Sequence, residues 1–246
     1  MPPNLAVKQR EAKPRRSSGP ACAKDPQPDS RKTSGRRHTV LICSPKGGSS
    51  KTTTCRALAV AAAQQGLKTA TLDLDRQRTL SKWWLERPDV GVVQFDHHEG
   101  RLDNLAAVLK EIETEDYEIV IIDTPPNLED HPSAIRDLIA IADLILVPTG
   151  QGRDDRDSVI PFMGFLKEQK RAASFIIGRA KKRTRGLDTA RASLVRAGRL
   201  CPVEIYDTED IANAVDLGLT ALDIDKARGA EELEGLWHYV KNELGI

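Results

Sequence analysis

Residues 46 to 54 read Lys-Gly-Gly-Ser-Ser-Lys-Thr-Thr-Thr, a set of types and spacings suited to holding a phosphate chain. Gly47 and Gly48 let the backbone turn its N–H groups inward around an anion. Ser49 and Ser50 continue the turn, and the free N–H groups of a following helix add a positive dipole end. Lys51 would set its ammonium against the β- and γ-phosphates, and the Thr52 hydroxyl would ligate Mg²⁺, with Thr53 in the same loop. The general phosphate-loop pattern GxxxxGK[ST] is not fully met: Pro45 stands at its first glycine and Ser50 at its last.

Two further carboxylate sites follow. Asp73-Leu74-Asp75-Arg76-Gln77 ends an apolar run, and carboxylates at the C-terminal end of a strand lie beside a phosphate loop in a doubly wound sheet. There Asp75 could orient an attacking water and assist the metal shell. Its alternative reading is a cap for the next helix. Glu118 to Thr124 is an apolar strand tipped by Asp123 and followed by Pro125 and Pro126. Asp123 would hold Mg²⁺ directly or through water, while the proline pair stiffens a loop able to sense the γ-phosphate. His97 and His98 are adjacent on a polar stretch, which disfavours convergence on one ion, so they read as a solvated turn. Of Trp83 and Trp84, helical spacing sends one inward and the other to the surface or an interface.

These groups need strands that end together and helices that start there. From His38 onward, apolar runs alternate with helical segments, which predicts an α/β fold with a doubly wound, mostly parallel sheet flanked by helices. The predicted strands are Thr39 to Cys43, Thr69 to Leu74, Val90 to Phe95, Ile119 to Asp123, Leu144 to Pro148, Ser174 to Ile177 and, more weakly, Val203 to Tyr206. The first helix is expected over Thr52 to Gln65, closed by Gly66.

The string KGGxxKTT resembles the deviant Walker A motif of the ParA/MinD family of dimeric ATPases. DLDRQ and EIVIIDT, in that order, resemble the same family's DxDxQ and Walker B segments. The resemblance covers roughly residues 38 to 244 and implies a nucleotide-sandwich homodimer binding ATP and Mg²⁺. In that dimer Lys46 reaches the partner subunit's nucleotide, Asp75 is required for hydrolysis, and Asp123 serves the metal. It implies a short partition ATPase without a helix-turn-helix domain in front. Its ATP-bound dimer would coat DNA non-specifically and be released by a ParB-like centromere-binding protein. Alternatives are a same-fold ATPase positioning a DNA-transfer or cell-pole complex, and a DNA-binding autorepressor. Three departures stand out: Ser50 for a glycine, Arg76 for a common proline, and Gly178 where relatives often have an asparagine that reads the adenine. A reductase of the nitrogenase iron-protein kind, which shares the lysine-bearing loop, needs cysteines for an iron–sulfur cluster, and none occurs between Cys55 and Cys201.

The formal net charge of +1 hides an asymmetry. Residues 1 to 37 carry ten Lys or Arg against three acidic residues and hold six of the fourteen prolines, which predicts a disordered basic arm before a domain over 38–246. Arg36 and Arg37, with other arginines of the arm, read either as a tether for DNA phosphates or as part of a solubilising tail. A second basic stretch from Lys167 to Arg199 has eleven Lys or Arg against Glu168 and Asp188. Its densest part, Arg179 to Arg185, with Arg179, Lys181, Lys182, Arg183 and Arg185, suits phosphates better than base edges, and favours non-specific DNA contact. The last helix, Glu231 to Leu244, bears one apolar stripe and an acidic face, so it is expected to pack on the body and not on a membrane. Scattered cysteines, no 20-residue apolar run and a charged N-terminus make the expectation a cytoplasmic protein without disulfides, zinc or a membrane span, and the family resemblance implies nucleoid association.

Overall fold

A computed structural model of the chain describes residues 36–126 and 130–246. Apart from Arg36 and Arg37, the expected basic arm lies outside the described residues. Seven strands form one sheet in the order β3-β2-β4-β1-β5-β6-β7. They are β1 (His38–Ile42), β2 (Thr69–Asp73), β3 (Asp96–Glu99), β4 (Ile119–Asp123), β5 (Leu144–Thr149), β6 (Ala173–Ile177) and β7 (Arg199–Leu200). All of their pairings are parallel. Eight α-helices are described: α1 (Lys51–Gln64), α2 (Thr79–Glu86), α3 (Leu105–Glu113), α4 (Pro132–Ile141), α5 (Arg153–Glu168), α6 (Arg185–Ala197), α7 (Glu209–Val215) and α8 (Ala230–Leu244).

The central strands are apolar on both faces, as strands covered by helices on each side must be. Alternation divides their residues between two cores. Leu41 of β1 and Val120 and Ile122 of β4 join α3, α4, α5 and α6 on one face. Val40, Ile42, Ile119 and Ile121 join α1, α2 and α8 on the other. Helix α1 is buried along most of its length between the sheet and α8, which explains its run of alanines and Val60. It ends as expected. Gly66, at φ +86°, lets its own N–H reach Ala63 O and the Leu67 N–H reach Ala62 O, closing the last turn with a left-handed residue. The stripe on α8 also packs as expected, with Leu233, Leu236, Trp237 and Val240 buried. Cys43, Cys55 and Cys201 are free and buried.

Two strand assignments shift. β3 forms at Asp96–Glu99 instead of 90–95, because its pairing with β2 aligns Ala70 with Asp96 and Asp73 with Glu99. Phe95, ahead of it, turns in beside Trp83. The seventh strand is the two-residue Arg199–Leu200. The expected segment at 203–206 runs on past the end of β6, with the Ile205 N–H donating to Ile177 O and Tyr206 bridging Ala180.

The shift of β3 corrects the reading of the histidines, which lie on a strand and not on a solvated turn. His97 pairs with the Thr71 hydroxyl through Nδ1 (2.8 Å) and the Ser81 hydroxyl through Nε2 (2.9 Å), and stacks on Trp84. Trp83 is the inward tryptophan; Trp84 is half-buried and donates to Phe95 O. A buried ion pair, Arg87 with Asp223 at 2.8 Å, ties the end of α2 to the turn at Ala221–Asp223, and its guanidinium lies over the rings of Trp83 and Phe95. Nothing in the sequence pattern marked this pair.

Burial pushes the His97 imidazole down from 6.5 to about 4. The unfolded chain therefore takes up this proton near pH 6.5, whereas the folded chain resists it until about pH 4. The neutral ring's contribution is fully present above pH 6.5 and is lost as pH falls towards 4, by about 3 kcal/mol in all. Urea unfolding midpoints of wild type and His97→Gln, compared at pH 7.5 and pH 5, should show a smaller pH dependence in the variant. Parallel profiles would contradict the assignment.

Candidate functional site

Three strands end at one level. The parallel register places Ile42 of β1 opposite Asp123 of β4, and Asp123 opposite Asp73 of β2. The loop from Cys43 to Ser50 leaves β1 at this edge and enters α1 at Lys51. Lys51 is buried, and its Nζ donates to Lys46 O at 3.2 Å. The Thr52 hydroxyl donates to Asp123 Oδ2 at 2.7 Å, and the Thr124 hydroxyl donates to Ile42 O at 3.0 Å. The structure thus gathers Gly47, Gly48, Ser49, Ser50, Lys51, Thr52, Thr53 and Asp75 around one cavity of about 380 Å³, which Gln77, Thr79, Pro126 and Arg179 complete.

The DLDRQ segment divides its labour. Asp73 is buried and structural: Oδ2 accepts the Ser81 N–H and hydroxyl in the first turn of α2, and Oδ1 accepts the Asp75 N–H. Asp75 does not cap α2. It is half-buried on the cavity wall, and its Oδ1 accepts the Gln77 N–H in a tight side-chain turn. The alternative reading of Asp75 as a cap therefore describes Asp73 instead.

The electrostatics favour a cation at the strand ends. Asp123 is fully buried, and burial, with Asp73 and Asp75 nearby, raises its carboxyl to about 7 against the opposing Thr52 hydroxyl and Lys51 ammonium. Its Oδ1 has no hydrogen-bond partner among the described residues. Desolvation lowers Lys51. A buried carboxylate oxygen without a donor, next to a threonine hydroxyl, is a donor set that fits Mg²⁺ completed by phosphate oxygens and water. No group of three His, Cys, Asp or Glu among the described residues could hold a metal unaided.

The sequence matches the family model for the CobQ/CobB/MinD/ParA nucleotide-binding domain over residues 40–221. The chain belongs to this family. Among solved structures, its fold is similar to that of a Borrelia burgdorferi protein assigned to plasmid partition and bound to AMPPNP, with TM-score 0.69, 18% identity, and 85% of this chain and 100% of that one covered. It is also similar to the septum site-determining protein MinD of Pyrococcus horikoshii complexed with Mg-ADP, with TM-score 0.68, 19% identity and coverage of 85% and 98%. Apo McdA of Cyanothece gives TM-score 0.68, 21% identity and coverage of 85% and 100%. No match was found among curated protein sequences.

In this ParA/MinD-family chain the first lysine of the loop stands apart from the cavity. Lys46 Nζ lies 2.7 Å from Asp155 Oδ1 in the first turn of α5, and the hydrogen bond to Asp155 raises the Lys46 ammonium above its ordinary value. Gly150 and Gly152 permit the contact, since a Cβ at either position would stand 2.3 or 2.9 Å from Asp155 Oδ2. No motif or spacing marks Asp155. Arg179, which the sequence places in the basic stretch expected at DNA, lines this cavity instead. The rule that ligands sit outside the carboxyl ends of parallel strands could have found it just beyond β6.

Two departures from the family pattern touch each other. Ser50 adopts a left-handed conformation (φ 74°), and a Cβ built on buried Gly178 would stand 2.7 Å from Ser50 Oγ and 2.9 Å from Ser50 Cβ. The serine thus occupies the space that a side chain at 178 would need.

The predicted DNA contacts lie elsewhere. Lys181, Arg183 and Arg185 are exposed around the start of α6, and Lys182 pairs with Glu232 at 3.3 Å and lies over the Tyr206 ring. Gln151 clamps this loop, its Oε1 accepting the Lys181 N–H and its Nε2 donating to the Thr184 hydroxyl. Arg36 pairs with Asp143, and Arg37 donates to Glu113 O and Glu115 O, at the N-terminal edge of the sheet opposite the cavity.

The Ser50–Gly178 contact sets up a double-mutant cycle. Gly178→Ala should cost about 1–3 kcal/mol by overpacking. Ser50→Gly should stabilise by about 1 kcal/mol through relief of the left-handed backbone. In the Ser50→Gly background the Gly178→Ala cost should largely vanish, a coupling of about 1 kcal/mol or more in urea unfolding. Additive effects would show that the two positions do not compete for space.

Proposed function

We propose that this chain is an ATP-hydrolysing partition switch, monomeric without ATP and a sandwich homodimer with it, whose dimer binds DNA non-specifically and is released when a ParB-like centromere-binding protein stimulates hydrolysis. The observation that carries the reading is the placement of its two lysines. Lys51 fills the phosphate site of its own loop, while Lys46 lies outside the cavity lining, held at an accessible rim by a single carboxylate. A cation in that position has no task in its own cavity and is free to act on a nucleotide brought up by a second subunit.

The chemistry follows from the groups present. The loop N–H groups and Lys51 bind the β- and γ-phosphates, and Thr52 and Asp123 would hold Mg²⁺, which when bound screens charge on the phosphates. Asp75, at the cavity wall and fixed by its turn to Gln77, orients the attacking water. Pro126, on the same wall, carries the presence of the γ-phosphate into the segment after β4. Lys46 exchanges Asp155 for the partner's nucleotide, which couples nucleotide state to dimerisation. Dimerisation doubles the exposed set Lys181, Arg183 and Arg185, and avidity then converts weak phosphate contacts into DNA binding.

Sedimentation of wild type and Lys46→Ala with ATP, ADP or no nucleotide, with and without a non-specific duplex, tests the switch. Wild type should become a dimer and bind DNA only with ATP, and Lys46→Ala should do neither. A monomer in ATP, or DNA binding in every nucleotide state, would refute it. On DNA, replacing Lys181, Arg183 or Arg185 by alanine should each reduce the slope of log K against log salt by about one, without sequence dependence. An unchanged slope would remove this loop from the DNA interface.

A further inference from the structure

Arg179 is the charged cavity-lining residue to which neither the nucleotide-site motifs nor the proposed switch gives a task. It lies two residues past the end of β6, which is separated from β1 and its phosphate loop by β5, and it is exposed. Its Nη2 lies 3.7 Å from the position a Cβ would take on Gly48, so the guanidinium reaches the tip of the loop itself. Among the described residues it has no hydrogen bond and no ion pair. Its neighbours differ: Lys46 is paired with Asp155, Lys182 with Glu232 and Arg191 with Glu204.

The backbone shows that this placement is imposed. Arg179 is held at φ 48°, a left-handed conformation that an arginine adopts only at a cost. Contacts on both sides impose it. Gly178 is pressed against Ser50, and the Gly178 N–H donates to Thr149 O at 2.8 Å. After it, the Ala180 N–H donates to Ile205 O and the Lys181 N–H to Gln151 Oε1. The turn is thereby fixed with its guanidinium over the cavity.

We propose that Arg179 is a phosphate-binding residue of its own subunit's nucleotide site, donating from the β6 side to the phosphate chain that the loop holds from the β1 side. The inference rests on the nucleotide-binding reading of the cavity. A planar guanidinium keeps its charge and offers paired donors to phosphate oxygens. Its position beside Gly48 sets it against the phosphates instead of the carboxylates Asp75 and Asp123, which face Lys51. The ligand class is a nucleoside di- or triphosphate. A nucleoside monophosphate would gain less, having fewer oxygens within the loop.

Titration calorimetry with AMP, ADP and ATPγS in the presence of Mg²⁺ provides the test, on wild type, Arg179→Gly, Arg179→Lys, Lys51→Ala and the exposed α6 control Arg196→Ala. Arg179→Gly removes the guanidinium while keeping a residue at ease at positive φ, so backbone strain does not confound the result. ADP and ATPγS should bind Arg179→Gly about tenfold or more weakly, with AMP changed much less, and Arg179→Lys should recover part of the loss. Arg196→Ala should match wild type. Wild-type affinity of Arg179→Gly for all three nucleotides, with Lys51→Ala impaired, would overturn this inference alone. An equal loss for AMP, ADP and ATPγS would also overturn it, by assigning Arg179 to the nucleoside. Failure of wild type to bind any of the three would overturn the reading of the cavity together with it.

Discussion

The structure turns on a carboxylate placed where water does not reach. Asp123 ends β4 in the middle of the sheet, and burial alone would keep it protonated. Its surroundings oppose that tendency only in part. Thr52 donates from the first turn of α1, Lys51 stands by with a charge itself weakened by desolvation, and one oxygen is left without a donor. The site is therefore electrostatically incomplete, and a metal carrying phosphate oxygens would supply the positive charge and the missing contact at Asp123 Oδ1. The strand register, the tight loop and the burial of α1 together bring the Thr52 hydroxyl onto Asp123 Oδ2 and set the Lys51 ammonium nearby.

Much of that was legible in the sequence, because the relevant signals are local. The loop, the strand it leaves and the helix it enters lie within Thr39 to Gly66, and both acidic strand tips are marked by apolar runs ending in aspartate. Long-range pairings were not legible. β3 was expected in the apolar stretch before it, since an edge strand can be polar and take its register from its neighbour instead of its own composition. The paired hydroxyls that make His97 a buried neutral residue come from Thr71 and Ser81, which no spacing rule connects to it. The same holds for Arg87 and Asp223, more than a hundred residues apart in the chain.

The departures from the family pattern show how misleading it is to judge positions singly. Ser50 alone reads as a β-carbon crowding a phosphate loop, and Gly178 alone reads as the loss of a recognition side chain. In the fold they are one feature, a serine filling the space beside a residue with no side chain. The same contact brings the β6 tip against the loop and so sets where the next residue can point.

The two cations at the rim, Lys46 and Arg179, differ in one respect that bears on order of events. Lys46 already has a counter-charge in Asp155, so any new phosphate contact must replace an existing ion pair. Arg179 has none to surrender among the described residues, and its backbone is fixed before any ligand arrives. A phosphate chain entering the cavity can therefore engage Arg179 at little reorganisation cost, whereas Lys46 moves only when something offers more than Asp155 does. A second subunit's nucleotide, presenting several negative oxygens, is such an offer. In the proposed switch, which charges are already neutralised would order the steps, binding in one subunit before exchange between two, so that nucleotide occupancy would precede association.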